Sequence, residues 1–62
     1  MNLSTREKYS RIIGEAVVVL LESNKRVYIG NILDILEYKK HAASGHNLED
    51  LRDTIAYIRS RI

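Results

Sequence analysis

Sixty-two residues without cysteine, with ten lysines and arginines against eight aspartates and glutamates for a net charge of +2, make one small domain with no disulfide framework and no thiolate metal site. A chain of this length lies near the lower limit for burying an adequate core alone. Its charge is too small and too evenly mixed for the concentrated basic stripe of a phosphate binder, and no apolar run reaches the ~18 residues of a membrane-spanning helix.

The first predicted element is a helix over about 5–23. Ser4 and Glu7 form an S-x-x-E capping box that places the first helical residue at Thr5, and Asn24 is a suitable stop. Within it, Ile12–Leu21 is apolar or glycine except for Glu15. At about 100° per residue, Tyr9, Ile13, Ala16, Val17 and Leu20 form one stripe. Ile12, Val19 and Leu21 flank the stripe and widen the apolar arc to roughly 200°, about twice a usual buried face. The β-branched Val17–Val19 also suits a buried strand, but polar residues recur at helical spacing back to Tyr9. Two short neighbours do not cover so wide a face. A homodimer packed through helix 1 is therefore expected, with Ile13, Ala16, Val17, Leu20 and Leu21 facing core or second copy. Gly14, which costs a helix about 1 kcal/mol relative to alanine, neighbours Val18 and Leu21 on the wheel. It suits either a close helix crossing or a tolerated position at the edge of the polar face.

After the polar connector Ser23–Arg26, a second helix is predicted over about 28–44, with Gly45 as its C-terminal stop. Ile29, Ile32, Leu33 and Leu36 make its core stripe and Ile35 widens it. Asn31 is expected either half-exposed or hydrogen-bonded to the connector. Tyr38, Lys39, Lys40 and His41 form a basic-aromatic exit. A third helix is predicted over about 48–61, capped by Asn47, with Glu49 and Asp50 in its first turn. Leu48, Leu51, Ile55, Ile58 and Ile62 give it a narrow 3-4-3-4 seam. The fold expected is all-α, three short helices in one domain, 1–62.

The chain has no G-x-S-x-G, H-E-x-x-H or G-x-x-x-x-G-K-[ST] pattern. His41 and His46 stand five apart and fall on different faces of any helix, with no carboxylate cluster to join them. Asp34 and Glu37 fit a solvated face rather than a catalytic dyad. A non-enzymatic protein without metal or cofactor is expected. Helices 2 and 3 can be read as a helix-turn-helix, with Asn47, Arg52 and Thr54 reaching bases, or a dimer can align Arg6, Lys8, Arg11, Lys25 and Arg26. Against the first stand Glu49, Asp50 and Asp53 where a recognition helix meets phosphate. Contact with another protein is favoured, through a surface including Lys25, Arg26, Tyr28, Tyr38, Lys39 and Lys40. A soluble, cytoplasmic protein is expected, because the chain lacks cysteine and the apolar run lacks a signal-type cleavage site.

Gly14-x-Ala16-Val17-x-x-Leu20, followed by Ser23, Val27, Asn31-Ile32 and Leu36, resembles the YmgB/AriR family of small enterobacterial regulators of biofilm formation and acid resistance, also described as two-component-system connector proteins. The resemblance runs from about Ile13 to Glu37 without a gap and more loosely to Ile58. It implies an all-α homodimer joined through apolar helix faces. It further implies a regulator that contacts a response regulator of the Rcs phosphorelay type and so influences capsule, biofilm and stress genes. Some members of the family have been regarded as DNA-associated.

Overall fold

Asn2 starts the first helix. Its Oδ1 accepts from the backbone N–H of Thr5 at 2.8 Å, the usual way an N-cap side chain satisfies an orphan donor. In the computed structural model, which describes residues 1–62, three helices follow: α1 (Leu3–Glu22), α2 (Ile29–Ala42) and α3 (Gly45–Arg59). The all-α expectation holds. The Ser4–Glu7 capping box does not form, because Asn2 offers an equally good cap two residues earlier and the helix takes it.

The end of α1 is a Schellman turn. Asn24 adopts a left-handed conformation at φ 57°, and its N–H and that of Lys25 donate to the carbonyls of Leu21 and Leu20 at 3.2 and 2.9 Å. Asparagine tolerates this conformation better than most residues, which is why the stop residue was legible. The connector into α2 is then tied down from the other side. The Asn31 Nδ2 donates to the Arg26 carbonyl at 2.8 Å, so of the two arrangements open to it this half-buried side chain takes the bond to the connector.

The α2–α3 junction departs from expectation. Helix 2 ends at Ala42 rather than near Ser44, and Ala43 and Ser44 are extended. Ala43 is partly buried against the core, which draws the chain inward before it turns. Gly45, expected as the stop of helix 2, instead opens α3 with φ +59°. Asn47 therefore lies inside the helix rather than capping it. Glu49 and Asp50 fall beyond the first turn, which holds no acidic residue.

Eight apolar residues form the core: Ile12, Ala16 and Leu20 from α1, Ile32 and Leu36 from α2, and Leu51, Ile55 and Ile58 from α3. On α1 the buried line runs through Ile12, Ala16 and Leu20, an i, i+4 row, with Ile13 and Val17 half-buried at its side. The expected stripe is thus rotated toward Ile12, because α2 and α3 together straddle that row. Leu21 lies outside the protomer core at 61% exposure. Ile29 is also exposed, at 46%, at the first position of α2. Ile62 is 73% exposed because α3 ends at Arg59 and the seam stops with it. Thr54 takes a fully buried place, its hydroxyl donating to the Asp50 carbonyl at 2.8 Å. It cannot reach a nucleic-acid base in this fold.

Across the outside, Tyr9 of α1 stacks on Tyr57 of α3 with ring centroids 4.4 Å apart. No helix is long and apolar enough to cross a membrane.

Candidate functional site

The six side chains expected to form a partner surface divide into two groups. Lys25, Arg26 and Tyr28 sit at the α1–α2 corner, whereas Tyr38, Lys39 and Lys40 sit in the last turns of α2. Ten residues of helix separate Tyr28 from Tyr38, about 15 Å at 1.5 Å per residue. They form two patches rather than one.

In the second patch the ammonium groups are already engaged. Lys39 Nζ lies 3.6 Å from Glu15 Oε2, tying α2 to α1. Lys40 Nζ lies 3.0 Å from Glu37 Oε2, while the other oxygen of Glu37 accepts from Arg59 Nη2 of α3 at 3.2 Å. The Lys40 hydrogen bond is the largest influence on Glu37 and holds its carboxyl below the usual glutamate range. Burial opposes it, and the charges of Lys40, Arg59 and His41 add to it. Tyr38 stands clear of this network and is the most exposed large hydrophobic side chain on α2.

The first patch keeps its charge free. Lys25 and Arg26 make no ion pair, and the Arg26 guanidinium instead donates to the Tyr28 hydroxyl at 3.0 Å. Val27, Tyr28 and Ile29 are all exposed beside it. This corner combines two free cations with three apolar or aromatic side chains on a connector held by the Asn31 bond.

A second set of ion pairs joins α1 to α3. Lys8 Nζ meets Asp53 Oδ2 at 3.1 Å and Asp50 Oδ1 at 3.9 Å, and Arg11 Nη2 approaches Asp50 Oδ2 at 3.8 Å. The Asp53 hydrogen bond raises the pKa of Lys8 most, against a lowering by burial. These contacts neutralise two of the carboxylates that counted against a recognition helix. They also occupy two of the five cations that a DNA-aligning patch would need.

An open cleft of about 380 Å³ lies where the three helices meet near the α2–α3 junction. Ile12 and Leu51 form part of its wall, with Arg11, Glu15, Lys39 and Asp50 around it. Its charged residues face one another in pairs, Arg11 with Asp50 and Lys39 with Glu15, which leaves little net field for a charged ligand. Nowhere do three histidines, aspartates or glutamates come together as a metal site.

The outer face of α1 is the remaining feature. Of the residues expected in core or dimer, Ala16 and Leu20 are buried, Ile13 and Val17 are half-buried, and Leu21 is exposed. Val18, which the sequence reading placed only as a neighbour of Gly14, is 53% exposed. At about 100° per residue it points directly away from the midpoint of Ala16 and Leu20. The signal for it was the width of the apolar arc: the core takes one side, and Val18 and Leu21 are what is left over. Comparison of the chain with protein-family models, with curated proteins and with solved structures gives no match.

Proposed function

We propose that this protein is a small non-enzymatic regulator that acts by protein–protein contact, as a homodimer joined through α1. The observation that carries this reading is the outer face of α1. Val18 and Leu21 stand in water on the side opposite the core, in a chain with little apolar surface to spare. Covering them with a second copy stabilises a protomer of this size. It also leaves the Lys25–Ile29 corner of each chain open to a target.

In its finer form the proposal is a connector that modulates a two-component response regulator, and hence biofilm and stress gene expression. That step rests on the family resemblance over Ile13–Glu37. The free cations beside Val27, Tyr28 and Ile29 fit a target surface that is apolar and acidic. The test is capture by tagged protein from nuclease-treated enterobacterial lysate, with bound proteins identified by mass spectrometry. A response regulator in stoichiometric amount supports the connector. Charge reversal at both Lys25 and Arg26 is expected to weaken that capture without moving the melting temperature. If capture and melting fall together, the corner is structural and the assignment of the surface is wrong.

A small dimeric DNA-binding regulator is the second reading, favoured by Arg6, Lys25 and Arg26, which form no ion pair in the protomer. It predicts an affinity that falls steeply with salt and differs between specific and random duplexes. Binding seen only in lysate not treated with nuclease moves this reading into first place.

A further inference from the structure

Tyrosine is the chain's oxidisable aromatic residue: there are four, with no tryptophan and no cysteine. Those two absent residues are the side chains that otherwise give up a single electron most readily, so one-electron oxidation of this protein settles on tyrosine. Of the four, Tyr9 and Tyr57 touch each other. Their rings stack with centroids 4.4 Å apart and planes inclined by 21°, slightly inside the roughly 4.5–7 Å usual for aromatic pairs. Tyr28 and Tyr38 are 54% and 78% exposed and have no aromatic neighbour.

The stack is fixed on both helices. Lys8, the residue before Tyr9, bonds Asp53 of α3 at 3.1 Å, and Asp53 stands one helical turn before Tyr57. The ion pair and the ring pair are therefore successive rungs between α1 and α3. The Lys8 ammonium lies 5.4 Å from the centre of the Tyr9 ring, and the Arg61 guanidinium 5.2 Å from that of Tyr57. With a cation over each ring and the second ring against its other face, each phenol has one aromatic neighbour, which is the other phenol. Both are half-buried, and neither hydroxyl is hydrogen-bonded within the chain. Each phenolic proton can therefore pass to water. On α1, Tyr9 lies about 180° from Val18 at 100° per residue, so the stack is separate from the outer face.

We propose that Tyr9 and Tyr57 form an oxidative modification site, joined as dityrosine by one-electron oxidants of the peroxidase class acting with hydrogen peroxide. Each phenol gives up one electron and one proton. The two phenoxyl radicals pair their unpaired electrons in a new bond between ring carbons ortho to the hydroxyls. The hydrogens displaced from those carbons move to the oxygens and restore both phenols. The pair loses two electrons and two protons in all, and one hydrogen peroxide takes them up to give two waters. The centroid separation is already close to that of two directly bonded rings, so the rings turn rather than travel. Reactants held side by side couple as if at a concentration far above that of separate molecules. Tyr28 and Tyr38, about 15 Å apart along α2, can couple only between molecules. The product is a covalent bridge from α1 to α3 that closes the loop from residue 9 to residue 57 in the unfolded chain and so favours the fold. It requires neither a second copy nor a target.

The test is to treat the purified full chain with a peroxidase and hydrogen peroxide over a dilution series, and to isolate the single-chain product on a denaturing gel. That product is expected to show dityrosine fluorescence and a mass lower by two hydrogens, with a yield that does not fall on dilution. Trypsin should release Tyr9–Arg11 joined to Asp53–Arg59. Tyr9→Phe and Tyr57→Phe, which keep the ring stack, are each expected to abolish this product while leaving dilution-sensitive links through Tyr28 and Tyr38. The double variant Tyr28→Phe, Tyr38→Phe is expected to form it as the parent does. The linked chain should melt above the parent by about 4 °C or more. A single-chain link that contains Tyr28 or Tyr38, or a Tyr9–Tyr57 link found only between chains, overturns the proposal. So does a Tyr9→Phe protein that yields the same product as the parent. A linked chain that melts no higher than the parent removes the bridge as a stabilising device.

Discussion

Glu37 joins two helices through both of its carboxylate oxygens, one facing Lys40 at 3.0 Å and the other Arg59 at 3.2 Å. Because the Lys40 hydrogen bond and the nearby cations lower its pKa in the folded state, the folded chain binds this proton less readily than the unfolded chain. The stability that follows is fully present above the ordinary glutamate range and is lost as pH falls through the lowered value. Glu37→Gln is accordingly expected to melt below the parent at pH 7. The gap should close as pH falls through the lowered value, as read by thermal melts from neutral to strongly acidic buffer. A gap unchanged by pH means that the side chain acts through packing rather than charge. Lys8 has the opposite sign. Its pKa is raised, chiefly by the Asp53 hydrogen bond. Its contribution is therefore complete below the ordinary lysine range and disappears only as strongly alkaline pH carries it through the raised value.

At the level of elements, two glycines with opposite roles make a paired test. Gly45 sits at φ +59°, where a side chain is strained, so Gly45→Ala is expected to destabilise by about 1–2 kcal/mol. Gly14 lies in ordinary helix with open space around it, so Gly14→Ala is expected to stabilise the dilute protomer by up to about 1 kcal/mol. Chemical denaturation at low protein concentration reads both, and a loss from Gly14→Ala there contradicts the absence of an intrachain contact. The three helices themselves were legible because their apolar residues recur at helical spacing and because Asn24 is a strong local stop. What was not legible came from competition between neighbours. Asn2 and Ser4 are both good caps, and the sequence gives no reason to prefer the earlier one. Gly45 suits the end of one helix and the beginning of the next equally well. On α1, Ile12 and Ile13 are adjacent and similar, and only the placement of α2 and α3 decides that Ile12 is buried. The candidate surface was legible as residue types but not as a place, since Lys25 and Lys39 look alike until Glu15 takes one of them.

For the whole molecule, folding and association compete for the same short supply of apolar surface. At about 0.05–0.15 kcal/mol per residue, a 62-residue chain has only about 3–9 kcal/mol of stability to lose. Leu20 and Val18 are two residues apart on α1, yet one is 1% exposed and the other 53%. Aspartate at Leu20 places an unpaired charge in the core, which exceeds or exhausts that margin. Leu20→Asp is expected to be unfolded by circular dichroism, so its failure to associate says nothing about an interface. Aspartate at Val18 projects into water in the protomer and against the second copy in the proposed dimer. Val18→Asp is thus expected to retain the parent's helical spectrum while sedimenting as a monomer. Its melting temperature should match that of the dilute parent and no longer rise with protein concentration, as it does when association is linked to folding. If Val18→Asp unfolds like Leu20→Asp, the outer face belongs to the protomer's own core and α1 has been placed with the wrong side inward. If it sediments like the parent, α1 is not the dimer interface, and the exposed corner at Val27–Ile29 becomes the apolar surface left for a second chain.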